Sequence, residues 1–236
     1  MEKVSKNFNP SIIHPLYIIR KNLYRRIVKY APQLSGKMMD FGCGEKPYKP
    51  LFTNVAEYIG VDYDGEGHNH ADENIDVYYD GKTIPFADNT FDSILTSEVL
   101  EHIFNLEPIV QELFRVLKPG GKILITTPFA WNEHEVPVDF GRYTSFGMKA
   151  LLERNGFAIL ALEKTTNYIQ TQTQLNNVYW NNHFFPKLRP FATVLSYSFC
   201  CINNIFGLAK AKIFPVKDDW YLNLVVLAEK KSTIAI

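Results

Sequence analysis

Strand-like and helix-like stretches alternate along most of this chain, which limits it to a sheet covered on both faces by helices. Residues 15–31 carry Leu16, Ile19, Leu23 and Ile27 at helical spacing, and Pro32 stops the pattern. Short apolar stretches follow at 37–41, 58–62, 75–79, 91–96, 122–127, 157–162 and 221–229. Between them, residues 98–116 read as helical with an interruption near Pro108. Residues 118–121 (Lys-Pro-Gly-Gly) read as a turn, and 145–155 as a helix closed by Gly156. This order predicts an α/β fold with a mostly parallel sheet. Ligands of such sheets bind beyond the carboxyl ends of the strands. Each motif singled out below follows a strand, so all of them are expected on one edge.

Charge and cysteine usage narrow the class. Lys+Arg and Asp+Glu each total 25, so no net field draws the chain toward nucleic acid. Arg20, Lys21, Arg25, Arg26 and Lys29 make a local basic run that reads as the solvated face of a helix. Cys43, Cys200 and Cys201 form no disulfide framework, which points to a reducing compartment. The first ten residues contain no apolar stretch of the signal-peptide type.

Four motifs carry chemistry. Asp40-Phe-Gly-Cys-Gly-Glu45 follows the first strand, and Gly42 and Gly44 let the backbone turn sharply against a ligand, with Cys43 the small residue between them. A dinucleotide-binding loop would want a third glycine at 47, where Pro47 stands, and this disfavours a nicotinamide or flavin enzyme. Asp62, at the end of Tyr58-Ile-Gly-Val-Asp62, is placed to accept both hydroxyls of a ribose. In Asp80-Gly-Lys-Thr-Ile-Pro-Phe86 the acid and nearby backbone groups could read an adenine edge, with an apolar wall behind it. Ser97-Glu-Val-Leu-Glu-His102 leads on through Arg115 to Val-Leu-Lys-Pro-Gly-Gly121.

Taken in order, DFGCG, YIGVD, DGKTIPFADNTFD, SEVLEH and RVLKPGG resemble the class I S-adenosylmethionine-dependent methyltransferases over roughly residues 36–165. The resemblance implies a Rossmann-like seven-stranded sheet whose last strand runs antiparallel, and S-adenosyl-L-methionine as cofactor. It implies that Asp40, Gly42, Cys43 and Gly44 line the methionine part, Asp62 holds the ribose, and Asp80 and Gly81 meet the adenine. Ser97 and Glu98 would lie beside the methionine end. The family's usual third glycine is replaced by the Glu45-Lys-Pro-Tyr48 stretch, a sub-family mark; Tyr48 or Tyr17 would help hold the cofactor carboxylate. The chain then divides into an N-terminal helical segment (1–35), the cofactor-binding core (36–165), an aromatic and apolar insertion (166–218) and a final strand with its tail (219–236). Acids at several strand ends make a cleft suited to a sulfonium cation.

The acceptor side is expected after the fifth strand, in residues 127–144. Its His-Glu-x-Pro-x-Asp and Arg-Tyr-Thr elements resemble methyltransferases of bacterial glycan and secondary-metabolite assembly. His134 is the first candidate general base and His102 the second. Glu135, Asp139, Arg142 and Tyr143 are candidate acceptor contacts; equally, His134, Glu135, Asp139 and Arg142 could form a polar network that only holds the loop. Glu98, Glu101 and His102, on one helix face, could with His134 hold a divalent metal. A similar arrangement occurs in small-RNA 2′-O-methyltransferases and some ubiquinone-pathway O-methyltransferases, although EVLEH also occurs in relatives without a metal.

The insertion breaks the alternation. Its aromatics (Tyr168, Tyr179, Trp180, Phe184, Phe185, Phe191) either stack on an acceptor or form a small satellite core. Its apolar run approaches the length of a membrane span but is interrupted by Ser196, Ser198, Asn203 and Asn204. It reads as a buried or capping helix, with peripheral membrane contact through 188–214 as the other option. The expectation is a cytoplasmic, or membrane-peripheral, methyltransferase that acts on oxygen of a small molecule, glycan or lipid-linked acceptor. Its rivals are an RNA or quinone-type methyltransferase and a non-catalytic cofactor-binding module; neutral charge disfavours nucleic acid.

Overall fold

A computed structural model describes residues 4–63 and 74–232. The tail residues 233–236 lie outside the described residues. Helix α1 (Tyr17–Tyr30) precedes strands β1 (Gly36–Phe41), β2 (Val55–Tyr63), β3 (Val77–Tyr79) and β4 (Phe91–Ser97). Then come α2 (Leu106–Val116), β5 (Leu117–Pro128), α3 (Ser145–Arg154), β6 (Phe157–Lys164), α4 (Tyr168–Tyr179), α5 (Ala192–Ile213) and β7 (Asn223–Lys230).

The strands form one seven-stranded sheet in the order β3-β2-β1-β4-β5-β7-β6. The first five pair in parallel, and β7 runs antiparallel to both β5 and β6. Period-two alternation sends neighbouring side chains to opposite faces. Met38, Leu124, Val225 and Leu227 meet Leu23, Ile27 and Tyr30 of α1 on one face. Met39, Ile123, Ile125, Leu224 and Val226 meet α2 and α3 on the other, through Ile109, Val110, Leu113, Met148 and Leu152. The α1 pattern is as the sequence spacing predicts, with Ile19, Leu23 and Ile27 buried and Pro32 in the single 3-10 turn that follows.

Two local expectations are corrected. Lys118–Gly121 is not a free turn, because β5 runs unbroken from Leu117 and absorbs these residues as a register shift between Phe91 and Ser93 of its partner. Nor is 98–116 one helix broken at Pro108. Glu98 adopts a left-handed backbone (φ 58°), Leu100–His102 form a 3-10 turn, and α2 starts at Leu106. Pro108 is harmless there, since first-turn N–H groups have no intrahelical partner to lose. Glu98, Glu101 and His102 therefore share no helix face. The basic residue in the last turn of α2 also has a structural use. Arg115 pairs with Glu112 and Asp88 and donates to the carbonyls of Ile84 and Phe86, fastening the loop after β3.

Candidate cofactor and acceptor site

Parallel strands bring the carboxyl ends of β1, β2, β3, β4 and β5 to one sheet edge, as the motif order predicts. At Gly42, with φ 73°, an added Cβ would lie 2.2 Å from Cγ2 of Val99. The glycine loop is thus pressed against the segment that carries Glu98 to His102. Asp62 pins this loop from the neighbouring strand. One carboxylate oxygen accepts from the Gly44 N–H at 2.8 Å and the other from the Tyr63 N–H at 2.8 Å. Buried Asp40 accepts from the Tyr58 hydroxyl, and burial with the nearby Asp62 charge pushes its carboxyl up to about 7. Cys43 is buried under the loop, where desolvation and the surrounding acids hold its thiol protonated. Asp80 caps its own turn through the Lys82 and Thr83 N–H groups, which hold its carboxyl below the ordinary range. Gly81 lies under the ring of Tyr63.

Two residues that the motif reading missed complete this edge. Lys46, itself left-handed (φ 54°), is buried and bonds Asp76 at 2.7 Å. Asp76 also accepts from the Gly60 N–H at 2.6 Å, and a Cβ at Gly60 would meet Cε of Lys46 at 2.2 Å. Nothing local in the sequence distinguishes Lys46 from a solvated lysine; only the glycine at 60, opposite Asp40 in register, hints that a side chain crosses the strand there. Tyr48 is buried edge-on to Phe8, and Tyr17 packs in the small cluster with Trp131.

Beside the loop, Ser97 Oγ lies 2.9 Å from Thr126 Oγ1. Glu98 is spent on structure: Thr126 donates to one oxygen at 2.8 Å and Asn223 to the other at 2.6 Å. Its expected place in a metal set with Glu101, His102 and His134 is therefore corrected. The left-handed turn at Glu98 aims its carboxylate at β5 and β7, away from the histidines.

The remaining three do converge. One ligand atom each from Glu101, His102 and His134 lies within 4.8 Å of the others. The Glu101 oxygen stands 3.7 Å from His102 Nε2 and 3.9 Å from His134 Nε2. His102 Nδ1 is 2.8 Å from the Val138 carbonyl, which can only accept, so Nδ1 carries the proton and Nε2 the lone pair. His134 Nδ1 is 3.2 Å from Asp139. Arg142 grips Asp139 through both guanidinium nitrogens and holds that carboxyl far below the usual range, so Asp139 is an acceptor and His134 too turns its Nε2 lone pair inward. Glu101 is fully buried, and neither carboxylate oxygen has a hydrogen-bond partner among the described residues. Burial and the nearby Glu98 charge push its carboxyl well up. A buried acid without a donor, facing two imidazole lone pairs, needs either a proton or a cation. Two imidazoles and a carboxylate are a donor set that suits a divalent transition metal.

Of the candidate acceptor contacts, Asp139 and Arg142 are largely occupied with each other, and Arg142 also bonds the Asn132 and Gly141 carbonyls. Glu135 places a carboxylate oxygen 3.5 Å from His102 Nε2. Tyr143 is half-buried against Gly141. The loop is docked on the histidine turn through the Phe140 and Gly141 N–H groups, both bonded to the Glu101 carbonyl. Next to His134 opens a cavity of about 350 Å³, lined by His14, Trp131, Asn132, Asn181, Asn182 and Tyr197 among others. Its walls come from the N-terminal segment, the loop after β5 and the insertion.

The family model for the methyltransferase domain matches residues 39–125. That span contains the glycine loop, Asp62, Asp80 and the Glu98–His102 turn. Residues 39–125 form a methyltransferase domain of the class I, S-adenosylmethionine-dependent type. Two relatives are similar to about half of the chain. The mitochondrial ubiquinone biosynthesis O-methyltransferase of Bos taurus is 36% identical over 125 residues, which is 46% of this chain and 34% of that protein. A probable S-adenosylmethionine-dependent methyltransferase of Mycolicibacterium smegmatis is 31% identical over 127 residues, 50% of this chain and 48% of that one. The matches thus span less than half the length of these relatives. Among solved structures, the cyclase SpnF superposes with a TM-score of 0.59 at 17% identity, over 95% of this chain and 86% of that one. An S-adenosylmethionine-dependent methyltransferase from Mesorhizobium loti superposes with a TM-score of 0.53 at 16% identity, covering 86% and 96%. These likenesses show the methyltransferase fold continuing beyond the matched residues, and the cyclase shows that the fold alone does not set the chemistry.

Proposed function

We propose that this chain binds S-adenosylmethionine at the β1–β3 edge and transfers its methyl group to a hydroxyl of a small molecule or glycan, lipid-linked intermediates included. The observation that carries this reading is the convergence of Glu101, His102 and His134 on the segment packed against the glycine loop. Asp62 bonds the ribose while pinning the loop. Asp80, Gly81 and the loop after β3 flank the adenine. Asp40, Gly42, Cys43 and Gly44 line the methionine part, and Ser97 and the backbone of Glu98 border it.

Transfer is a direct displacement. An acceptor oxygen bonds to the methyl carbon, the carbon–sulfur bond breaks, and its electron pair stays on sulfur as S-adenosylhomocysteine forms. The acceptor's proton goes to His134 Nε2, whose ring is oriented by Asp139 as in a His–Asp pair. Alignment of acceptor, methyl and sulfur supplies most of the remaining rate.

A second use of the same lone pairs is favoured by the orphaned Glu101: Glu101, His102 and His134 hold a divalent cation. Bound there, it would polarise an acceptor hydroxyl or diol and lower its pKa. The residues' own part is to fix the cation, through Nδ1 bonds that lock both rings. Thermal shift separates the two uses. With a cation site, adding Mn²⁺ or Zn²⁺ to chelator-treated protein raises the melting temperature, and Glu101→Gln abolishes the rise. No rise in the wild type assigns the trio to proton transfer alone.

A phenolic precursor of a quinone, such as a catechol, is the rival acceptor class, supported by similarity to the bovine ubiquinone biosynthesis O-methyltransferase over part of the chain. Transfer of labelled methyl to a panel of sugars, lipid-linked glycans and catechol distinguishes these acceptors. Absence of transfer to any of them, with cofactor still bound, would favour a binding module.

A further inference from the structure

Helix α5 is built inside out. Its buried residues are Ser196, Cys200, Asn204 and Gly207, a small and polar stripe. That stripe is fastened along its length. Ser196 donates to Asn181 at 2.7 Å, and Asn204 accepts from Asn177 of α4 at 2.8 Å and donates to the Ile12 carbonyl at 2.7 Å. A Cβ at Gly207 would lie 2.3 Å from Thr173 of α4, so the glycine lets the two helices touch. At 100° per residue, Phe191, Leu195, Ile202, Phe206 and Ile213 fall on the opposite side. They are exposed, Phe206 by 60% and Ile213 by 75%. Val194 and Ile205 widen the same face. A water-facing helix of a globular domain has the reverse pattern, and contiguous apolar faces of this kind mark interaction sites.

Charge selects the occupant. Between Glu163 and Asp218 the chain has no acidic residue but carries Lys164, Lys187, Arg189, Lys210, Lys212 and Lys217, although the whole chain balances 25 basic against 25 acidic. Five of these, at 187, 189, 210, 212 and 217, are exposed around the two ends of α5. Two copies meeting through this face would bring like charges together, whereas anionic headgroups would complement them. The helix spans 22 residues and contains an 18-residue window of mean hydropathy 1.3, long and apolar enough to cross a bilayer by length and composition. Yet its polar stripe is fixed to α4, which is rich in Gln, Thr and Asn and unsuited to hydrocarbon.

We propose that the outer face of α5 docks in the plane of an anionic membrane, its apolar stripe at the acyl boundary and its flanking basic residues among the headgroups. Tyr197, on the flank of the helix, lines the cavity beside His134. On the methyltransferase reading, docking therefore brings the acceptor cavity to the bilayer surface, which suits an amphiphilic acceptor.

The test is co-sedimentation of the full chain with phosphatidylcholine vesicles, with and without phosphatidylglycerol. The wild type is expected to pellet with the anionic vesicles and less with the neutral ones. The double substitution Ile202→Gln with Phe206→Gln should lower the partition coefficient about tenfold or more, and so should Val194→Gln with Ile213→Gln. Unchanged melting temperature and S-adenosylhomocysteine affinity in both variants show that fold and cofactor site survive, so failure here is separable from failure of the functional reading. Wild-type protein that ignores anionic vesicles, or variants that bind them as well as it does, would overturn the proposal. So would a stable dimer that these substitutions dissociate, which would assign the face to a second copy.

Discussion

Replacing His134 by alanine is expected to lower methyl transfer about 100- to 10,000-fold, the range for loss of a positioned proton-transfer group, with S-adenosylhomocysteine affinity unchanged. The reason is geometric. Asp139, held by Arg142, fixes the His134 ring so that its Nε2 faces Glu101, and His134 lines the neighbouring cavity. Alanine removes the lone pair yet leaves the loop fastened by Arg142 to the Asn132 carbonyl and by Phe140 to the Glu101 carbonyl. Glu101→Gln should also depress turnover, because the amide can neither ligate a cation as an anion nor exchange a proton, and its N–H would occupy an imidazole lone pair that the reaction needs. Measured turnover on whichever acceptor the panel yields checks both. If His134→Ala retains full turnover, the His134–Asp139–Arg142 group serves only to hold the loop.

Asp62→Ala is expected to weaken S-adenosylhomocysteine binding by about 1–3 kcal/mol, roughly 5- to 150-fold. Two effects combine. The ribose loses an acceptor, and the Gly44 and Tyr63 N–H groups lose theirs, so the loop on the glycines is no longer pinned to β2. Calorimetric titration of variant and wild type reads the difference directly. Equal affinities would remove Asp62 from the cofactor site.

Much of this architecture could be read in advance because it depends on local pattern. The stripe of α1, its stop at Pro32 and the apolar strands needed only periodicity and proline chemistry. The edge that gathers Gly42, Asp62 and Asp80 followed from strand order. What escaped the sequence depends on contacts distant in the chain. Ser97-Glu-Val-Leu-Glu-His102 has the composition of a helix. Its left-handed turn at Glu98 is fixed by Thr126 and Asn223, 28 and 125 residues away. That single turn removed Glu98 from the metal set and left Glu101 facing the histidines. Lys46 reads as a surface lysine until Asp76 and the bare backbone at Gly60 are seen beneath it. In α5 the composition was plain but the facing was not, because burial of its asparagines and serine depends on Asn177, Asn181 and Ile12. The satellite core among the insertion aromatics is real for Trp180, Phe184, Phe185 and Phe199, whose rings pack together. Tyr168 and Phe191 stand more exposed.

The account rests on a cofactor site at the edge where β1, β2 and β3 end. Titration calorimetry of the wild-type protein with S-adenosylhomocysteine and, separately, with NAD tests it most directly. Saturable one-to-one binding of S-adenosylhomocysteine with no heat from NAD is the predicted result. No binding of S-adenosylhomocysteine, or preference for NAD, would contradict it.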